Sequence, residues 1–321
     1  MPGGAIVAVV DGGYDSYDTE RRILAPLGAE VVLRDCAGDA ARVAEACADA
    51  AAVLVRESPV DGRAIARMGR CRAIVRYGIG VDNIDLAAAR ARRIYVANVP
   101  GYGAEEVSDQ AVALLLGVVR RVASRDRAVR AGAWNVSRRE KMYRVAGRTL
   151  GLVGYGRIAR AFERKMRGLG VERVLVHDPN VPAADGVELA GLETVCRESD
   201  YLSLHAPLTA GTRHLLGRRE LALMKPTALL VNTARGALVD EAALVEALRE
   251  GRILGAGLDV YEHEPPRTGH PLFALDNVVL SDHTGWYSEE SVAELQTKAA
   301  EEVARVFRGE PPRHWLNRWD A

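Results

Sequence analysis

Short apolar runs rich in β-branched residues alternate along the chain with segments whose apolar positions recur every three to four residues. The runs predict strands at 5–10, 30–33, 52–55, 73–75 and 94–97, and the amphipathic segments predict helices at 19–27, 40–49, 63–68 and 86–92. Such alternation builds a parallel sheet, because each crossover helix returns the next strand in the same direction. Five strands complete one small domain, and Pro100-Gly101 then breaks the pattern. One helix is predicted from Glu105 to Arg130, with Ala111-Val112-Ala113-Leu114-Leu115-Leu116 apolar on nearly every face. A helix of that kind wants cover on two sides, from its own domain and from a second copy of the chain.

A second strand series begins at Thr149 and continues at 174–176, 201–204, 228–231, 256–260 and 278–280. A last amphipathic helix, 289–308, is too small to stand alone and is expected to return to the first domain. The expectation is therefore α/β throughout, with two parallel-sheet domains and a cleft between them. One domain comprises 1–100 plus 289–321 and the other 101–288, with hinges near Pro100 and Ser288.

The start of the second series carries a dinucleotide-binding pattern. An apolar strand enters Gly154-Tyr155-Gly156-Arg157-Ile158-Ala159, a helix pattern leaves it, and a second strand ends at Asp178. Gly154 permits the tight turn, Gly156 lets the backbone approach a pyrophosphate, and Ala159 lets the helix pack on the strand. The helix N-terminus then faces the phosphate charge. Asp178 is placed to accept from the adenosine ribose hydroxyls and to repel a 2′-phosphate, so NAD is expected over NADP.

Composition narrows the function classes. Of 321 residues, 43 are Lys or Arg and 43 are Asp or Glu, so no net charge draws the chain to nucleic acid or an anionic membrane. No apolar stretch is long enough to span a bilayer, and the first apolar run is too short for a secretory signal. Cys36, Cys47, Cys71 and Cys196 are scattered, as in a reduced, cytoplasmic protein.

Candidate chemistry clusters late in the chain. Arg235 follows one strand, Asp259 and Glu264 follow another, and His283 ends a third. A guanidinium, a carboxylate and an imidazole meeting over one carbon suit reduction of a 2-oxo acid. Arg235 can fork to the substrate carboxylate and polarise the ketone, and His283 can exchange the proton. Glu264, bonded to the imidazole, would orient it and favour its protonated form. His263, Glu264 and His270 match no helical His-Glu-x-x-His spacing, so no metal is expected.

These motifs, in this order, resemble the D-isomer-specific 2-hydroxyacid dehydrogenase family over essentially the whole chain. The resemblance rests on 78–85 (Gly-Ile-Gly-Val-Asp-Asn-Ile-Asp), Asn98-Val99-Pro100-Gly101, the glycine loop, Asn232-Thr233-Ala234-Arg235-Gly236, 259–265 and His283. Segments 75–80, 105–109 and 283–289 look most like the C-terminal-binding-protein branch. The resemblance implies a flavodoxin-like substrate domain and a Rossmann domain that binds NAD and forms a homodimer. It also implies Arg235, Glu264 and His283 as the catalytic set. Cofactor contacts would come from Gly154, Tyr155, Gly156, Arg157, Ile158, Asp178, Pro179, His205, Ala206, Thr212, Thr233, Ala234, Asp259 and Gly285. Substrate contacts would come from Arg56, Arg76, Tyr77, Gly78, Ile79 and Trp286.

The family commonly has Thr-Pro before the histidine, where this chain has Ser281-Asp282. Facing inward, Asp282 would raise the histidine's pKa further; facing outward it would not. No regulatory domain follows the last helix, so the long form of phosphoglycerate dehydrogenase is not expected. The leading expectation is an NAD-dependent D-2-hydroxyacid dehydrogenase acting mainly as a 2-oxoacid reductase. Two alternatives stay open: an NAD(H)-sensing assembly protein with weak catalysis, and a reductase of a phosphorylated or phosphonate substrate that uses Arg56 and Arg76.

Overall fold

Strands and helices alternate through the computed structural model, which describes residues 4–134 and 141–319. The chain divides into two units, Met1–Tyr102 with Ser288–Ala321, and Gly103–Tyr287. The outermost residues of the expected domains, 1–3 and 320–321, lie outside the described residues.

In the first unit β1 (Ala5–Val10), β2 (Ala29–Arg34), β3 (Ala52–Val55), β4 (Ala73–Arg76) and β5 (Tyr95–Ala97) form a parallel sheet ordered β2-β1-β3-β4-β5. Every residue of β3 and β4 is buried, as expected for central strands covered on both faces. The crossovers are α1 (Asp18–Leu24), α2 (Ala40–Ala46), α3 (Gly62–Arg67) and α4 (Leu86–Ala91). The last three each start on an aspartate, Asp39, Asp61 and Asp85, whose carboxylate accepts first-turn amides. Each such cap stabilises its helix by about 1 kcal/mol.

The second unit begins with α5 (Ala104–Val119) and α6 (Val122–Arg130). Its sheet contains β6 (Thr149–Val153), β7 (Arg173–His177), β8 (Glu188–Leu189), β9 (Tyr201–Leu204), β10 (Leu229–Asn232), β11 (Gly255–Leu258) and β12 (Val278–Leu280). The order is β12-β11-β10-β9-β6-β7-β8, all parallel, and it reverses between β6 and β9. Ligands of open α/β sheets bind beyond the carboxyl ends of the strands at such a reversal. The crossover helices are α7 (Arg157–Gly168), α8 (Leu192–Glu198), α9 (Arg218–Leu223) and α10 (Glu241–Arg249). Finally α11 (Glu289–Phe307) belongs to the first unit and packs on α1 and β4. There Gln296 Nε2 donates to the Ser16 carbonyl at 2.7 Å.

One expectation needs correction. The single helix from Glu105 to Arg130 is two helices, because Arg121 takes a left-handed φ of 57° and ends the first. No glycine or proline announces that break. The apolar face of α5 packs on its own domain. It lies close on the sheet, since Gly257 and Gly255 leave no room for a Cβ beside Leu114 and Val118. Ala113 on its far side is exposed. Exposed apolar side chains follow on α6 and just after it, among them Val122 at 57%, Val129 at 50% and Trp134 at 79% exposure. Among the described residues no helix is long and apolar enough to cross a membrane.

Candidate active site and dinucleotide loop

The glycine loop follows β6 at the sheet reversal. Gly154 has φ 86°, and a Cβ there would lie 2.6 Å from the Ala206 amide nitrogen and 2.7 Å from the His205 carbonyl carbon. Only glycine fits so close to another backbone. Gly156 is the opposite case, for a Cβ there would meet nothing within 4 Å. It opens α7 without any side-chain cap, so the first amides of a twelve-residue helix stand over open space. Arg157 is exposed and Ile158 half-buried at that end. Asp178 accepts from the Tyr155 amide at 2.8 Å and the Asn180 amide at 2.9 Å, which fixes its carboxylate beside the loop. Pro179 is exposed next to it. The Tyr155 side chain points into α7, where its hydroxyl bonds to Glu163 at 2.5 Å.

Two buried polar atoms here have no partner among the described residues: His205 Nδ1 and Thr233 Oγ1. Burial pushes the His205 imidazole down to about 3, so the ring is neutral, with Nε2 on Ser203 Oγ at 2.9 Å. Burying a polar group unpaired is costly, and both residues stand among those expected to touch a dinucleotide. The unfilled donors and acceptors, the open face of Gly156 and the uncapped helix together fit NAD. Ala206 is half-buried beside Gly154, Ala234 accepts from Arg235 at its carbonyl, and Thr212 Oγ1 braces its own turn by donating to the Pro207 carbonyl at 2.7 Å.

The proposed acid–base pair comes from two loops of the second unit. His283 Nδ1 lies 2.6 Å from Glu264 Oε2, and Glu264 Oε1 accepts from the Tyr261 amide at 2.9 Å. Both Glu264 oxygens are thereby engaged, and the ring presents Nε2 on its other side. Burial pushes the Glu264 carboxyl up, but the His283 hydrogen bond and charge, the Tyr261 amide and the Arg235 charge outweigh it and leave it below its ordinary value. Arg235 is therefore within electrostatic reach of the pair. Its loop is held by Asn232, whose side chain accepts from the Ala234 amide and donates to the Arg235 carbonyl. Gly236 lies so close to the backbone of Tyr261 and Glu262 that any side chain would overlap them. The absence of a side chain at Gly236 is what lets the two loops meet.

His283 itself has φ 58°, a left-handed conformation uncommon for a side chain that is not glycine. Asp259 holds it there. This carboxylate is 2% exposed, and its Oδ1 accepts from Ser281 Oγ at 2.6 Å and the Thr284 amide at 3.2 Å. Oδ2 accepts from the Gly285 amide at 2.9 Å, and the Asp259 carbonyl accepts from the His283 amide at 2.8 Å. In this structure Asp259 thus organises the histidine loop. Asp282 is exposed and accepts from Thr284 Oγ1 at 2.8 Å. Trp286 stands edge-on to Tyr287 at 5.8 Å.

Among the expected substrate residues of the first unit, Arg76 is buried and its Nε donates to the Arg56 carbonyl at 3.0 Å. Gly78 has φ 139°, and a side chain there would run into the Arg76 guanidinium. Ile79 is 37% exposed, and its carbonyl accepts from Asn98. Tyr77 points the other way. It is 1% exposed, and its hydroxyl donates to the fully buried Glu20 at 2.7 Å, so its side chain belongs to the core. Among the described residues no group of three or more His, Cys, Asp or Glu could hold a metal ion.

Three further residues brace this site. Gln110 donates to Ser281 Oγ at 2.8 Å, Ser281 donates to Asp259, and the Tyr261 hydroxyl donates to the Ser281 carbonyl at 2.9 Å. Ser281 is marked in the sequence by the departure from Thr-Pro and Tyr261 lies within the 259–265 motif, whereas Gln110 carries no mark.

Residues 112–285 match the family model for the D-isomer specific 2-hydroxyacid dehydrogenase NAD binding domain. A glyoxylate reductase of Korarchaeum cryptofilum is 43% identical over 275 residues, covering 83% of this chain and 82% of that one. A glyoxylate reductase structure from Paecilomyes thermophila superposes with a TM-score of 0.88 at 29% identity, covering 98% and 99% of the two chains. The D-lactate dehydrogenase of Aquifex aeolicus, complexed with NAD and lactic acid, superposes at 0.85 with 25% identity over 95% and 96%.

Proposed function

Because the chain belongs to the D-isomer specific 2-hydroxyacid dehydrogenase family and uses NAD(H), we propose that it reduces a short 2-oxo acid, with glyoxylate the first candidate. The observation that carries this reading is the 2.6 Å contact of His283 with Glu264, with Arg235 acting on the same carboxylate. When bound, the nicotinamide supplies the hydride that reduces the substrate's C2 carbonyl. The Arg235 guanidinium holds the substrate carboxylate and stabilises negative charge on the carbonyl oxygen. His283 Nε2 gives that oxygen its proton in reduction and takes it back in oxidation. Glu264 keeps Nδ1 protonated, which fixes the ring's orientation.

The loop 154–158, Asp178, Pro179, His205, Ala206, Thr212, Thr233, Ala234 and Gly285 would hold the cofactor, and the orphaned His205 and Thr233 atoms support this. Arg56, Arg76 and the backbone at Gly78 and Ile79 are proposed substrate contacts, and Trp286 is proposed to receive a substrate side chain. The exposed Val122, Val129 and Trp134 support a homodimer formed through the second unit. Four buried, unpaired cysteines support a reducing, cytoplasmic location.

The test is NADH oxidation across a panel of 2-oxo acids, including glyoxylate, pyruvate and a phosphonate-bearing acid, for the parent and His283→Ala. Turnover lost in the variant while NADH still binds supports the reading. An inactive parent that binds NADH tightly and assembles in response to it overturns the reading in favour of a sensor.

A further inference from the structure

The loop carrying His283 is short, and one side chain from a distant element touches both of its ends. Gln110, on α5, donates from Nε2 to Ser281 Oγ at 2.8 Å. At the other end its stem lies against Gly285, where an added Cβ would come within 3.1 Å of Gln110 Cγ and 3.3 Å of its Cβ. The direction of these bonds follows from the donors available. An amide nitrogen only donates, so the Ser281 proton is directed to Asp259 Oδ1, 2.6 Å away. With the Gln110 amide turned over, its oxygen would compete for that proton and leave the short Ser281–Asp259 contact without one. Asp259 then binds the Thr284 and Gly285 amides through its side chain and the His283 amide through its carbonyl.

We propose that Gln110 is a positioning residue for the acid–base step: through Ser281 and Asp259 it holds the 281–285 loop in the left-handed form that presents His283. The proposal rests on the reading of His283 as proton donor. In contact with the His283 loop but 171 residues from Ser281 in sequence, Gln110 belongs to neither the glycine loop nor the catalytic strand ends.

Gln110→Met keeps the length and the apolar stem on Gly285 but removes the donor. Gln110→Glu puts an acceptor against Ser281 that regains a donor only when protonated. Both are assayed as full-length enzyme with NADH and the 2-oxo acid that the parent reduces fastest. Gln110→Met should lower kcat about five- to twentyfold, the scale of one partly buried hydrogen bond, with NADH affinity and the thermal midpoint near those of the parent. Gln110→Glu should lose more near neutrality, and its deficit should narrow as pH falls. Ser281→Ala should lower kcat similarly, and adding Gln110→Met to it should cost nothing further, because the two act through one path.

An unchanged kcat in Gln110→Met, fully additive losses, or a kcat loss matched by an equal loss of NADH binding would each overturn the proposal. His283→Ala, run in parallel, separates the failures. If it stays active, the acid–base reading falls; if it is dead while Gln110→Met is normal, only the role of Gln110 falls.

Discussion

Replacing Glu264 with glutamine keeps the shape of the site and removes one charge. The carboxylate accepts from His283 Nδ1 at 2.6 Å, within the range of charge-assisted hydrogen bonds. Bonds of that kind contribute about 1.5–3 kcal/mol. The two side chains are 25% and 34% exposed, so solvent screening lowers the figure to about 1–2 kcal/mol. At 1.36 kcal/mol per tenfold, the reductive kcat/KM should fall roughly 5- to 30-fold. The sign of the pH dependence follows from the carboxyl's position below its ordinary value. A depressed carboxyl contributes stability above its unfolded pKa of about 4.3 and loses it only as pH falls through the lower, folded value. Glu264 therefore stays charged across about pH 5 to 8, and any limb of the parent's profile in that window belongs to another group. The assay is the initial rate of NADH loss against substrate concentration at several pH values, with NADH affinity measured separately. A Glu264→Gln enzyme within twofold of the parent throughout would refute the pairing argument.

Other substitutions probe the remaining parts. Gly154→Ala forces a Cβ against the His205–Ala206 backbone at a left-handed φ, which should cost about 2–4 kcal/mol in urea unfolding and abolish NADH binding; normal binding would contradict the close approach. Asp178→Ala should weaken NADH far more than NADPH in equilibrium titrations, and equal weakening would remove the ribose assignment. Arg235→Lys keeps the charge but loses the planar fork, so kcat/KM should drop at least about tenfold; an unchanged value would take Arg235 out of the site. Trp134→Glu should shift the particle toward monomer in analytical ultracentrifugation, and an unaltered sedimentation coefficient would argue against an interface there.

Much of this molecule is written in local pattern. Strand and helix order, the parallel sheets and the glycine loop follow from periods of two and 3.6, from turn residues and from the size of single side chains. Short-range physics sets all of these, so they can be read along the chain. Arg235, Glu264 and His283 stand out as candidates because each lies beyond an apolar strand, and such ends converge in an α/β sheet. The two-residue β8 is not legible in the sequence, because a strand so short and exposed has no hydrophobic alternation.

Tertiary structure decided the rest. The break at Arg121 carries no glycine or proline, yet its left-handed φ ends α5 at Val119. Tyr77 turns inward because Glu20, 57 residues earlier, waits there with a buried carboxylate. Gln110 reaches Ser281 across 171 residues of sequence. Contacts of that separation leave no period and no motif, since they depend on where whole elements come to rest. The chain's own order therefore names the groups that can do the chemistry, and packing between remote segments determines which of them are held in place to do it.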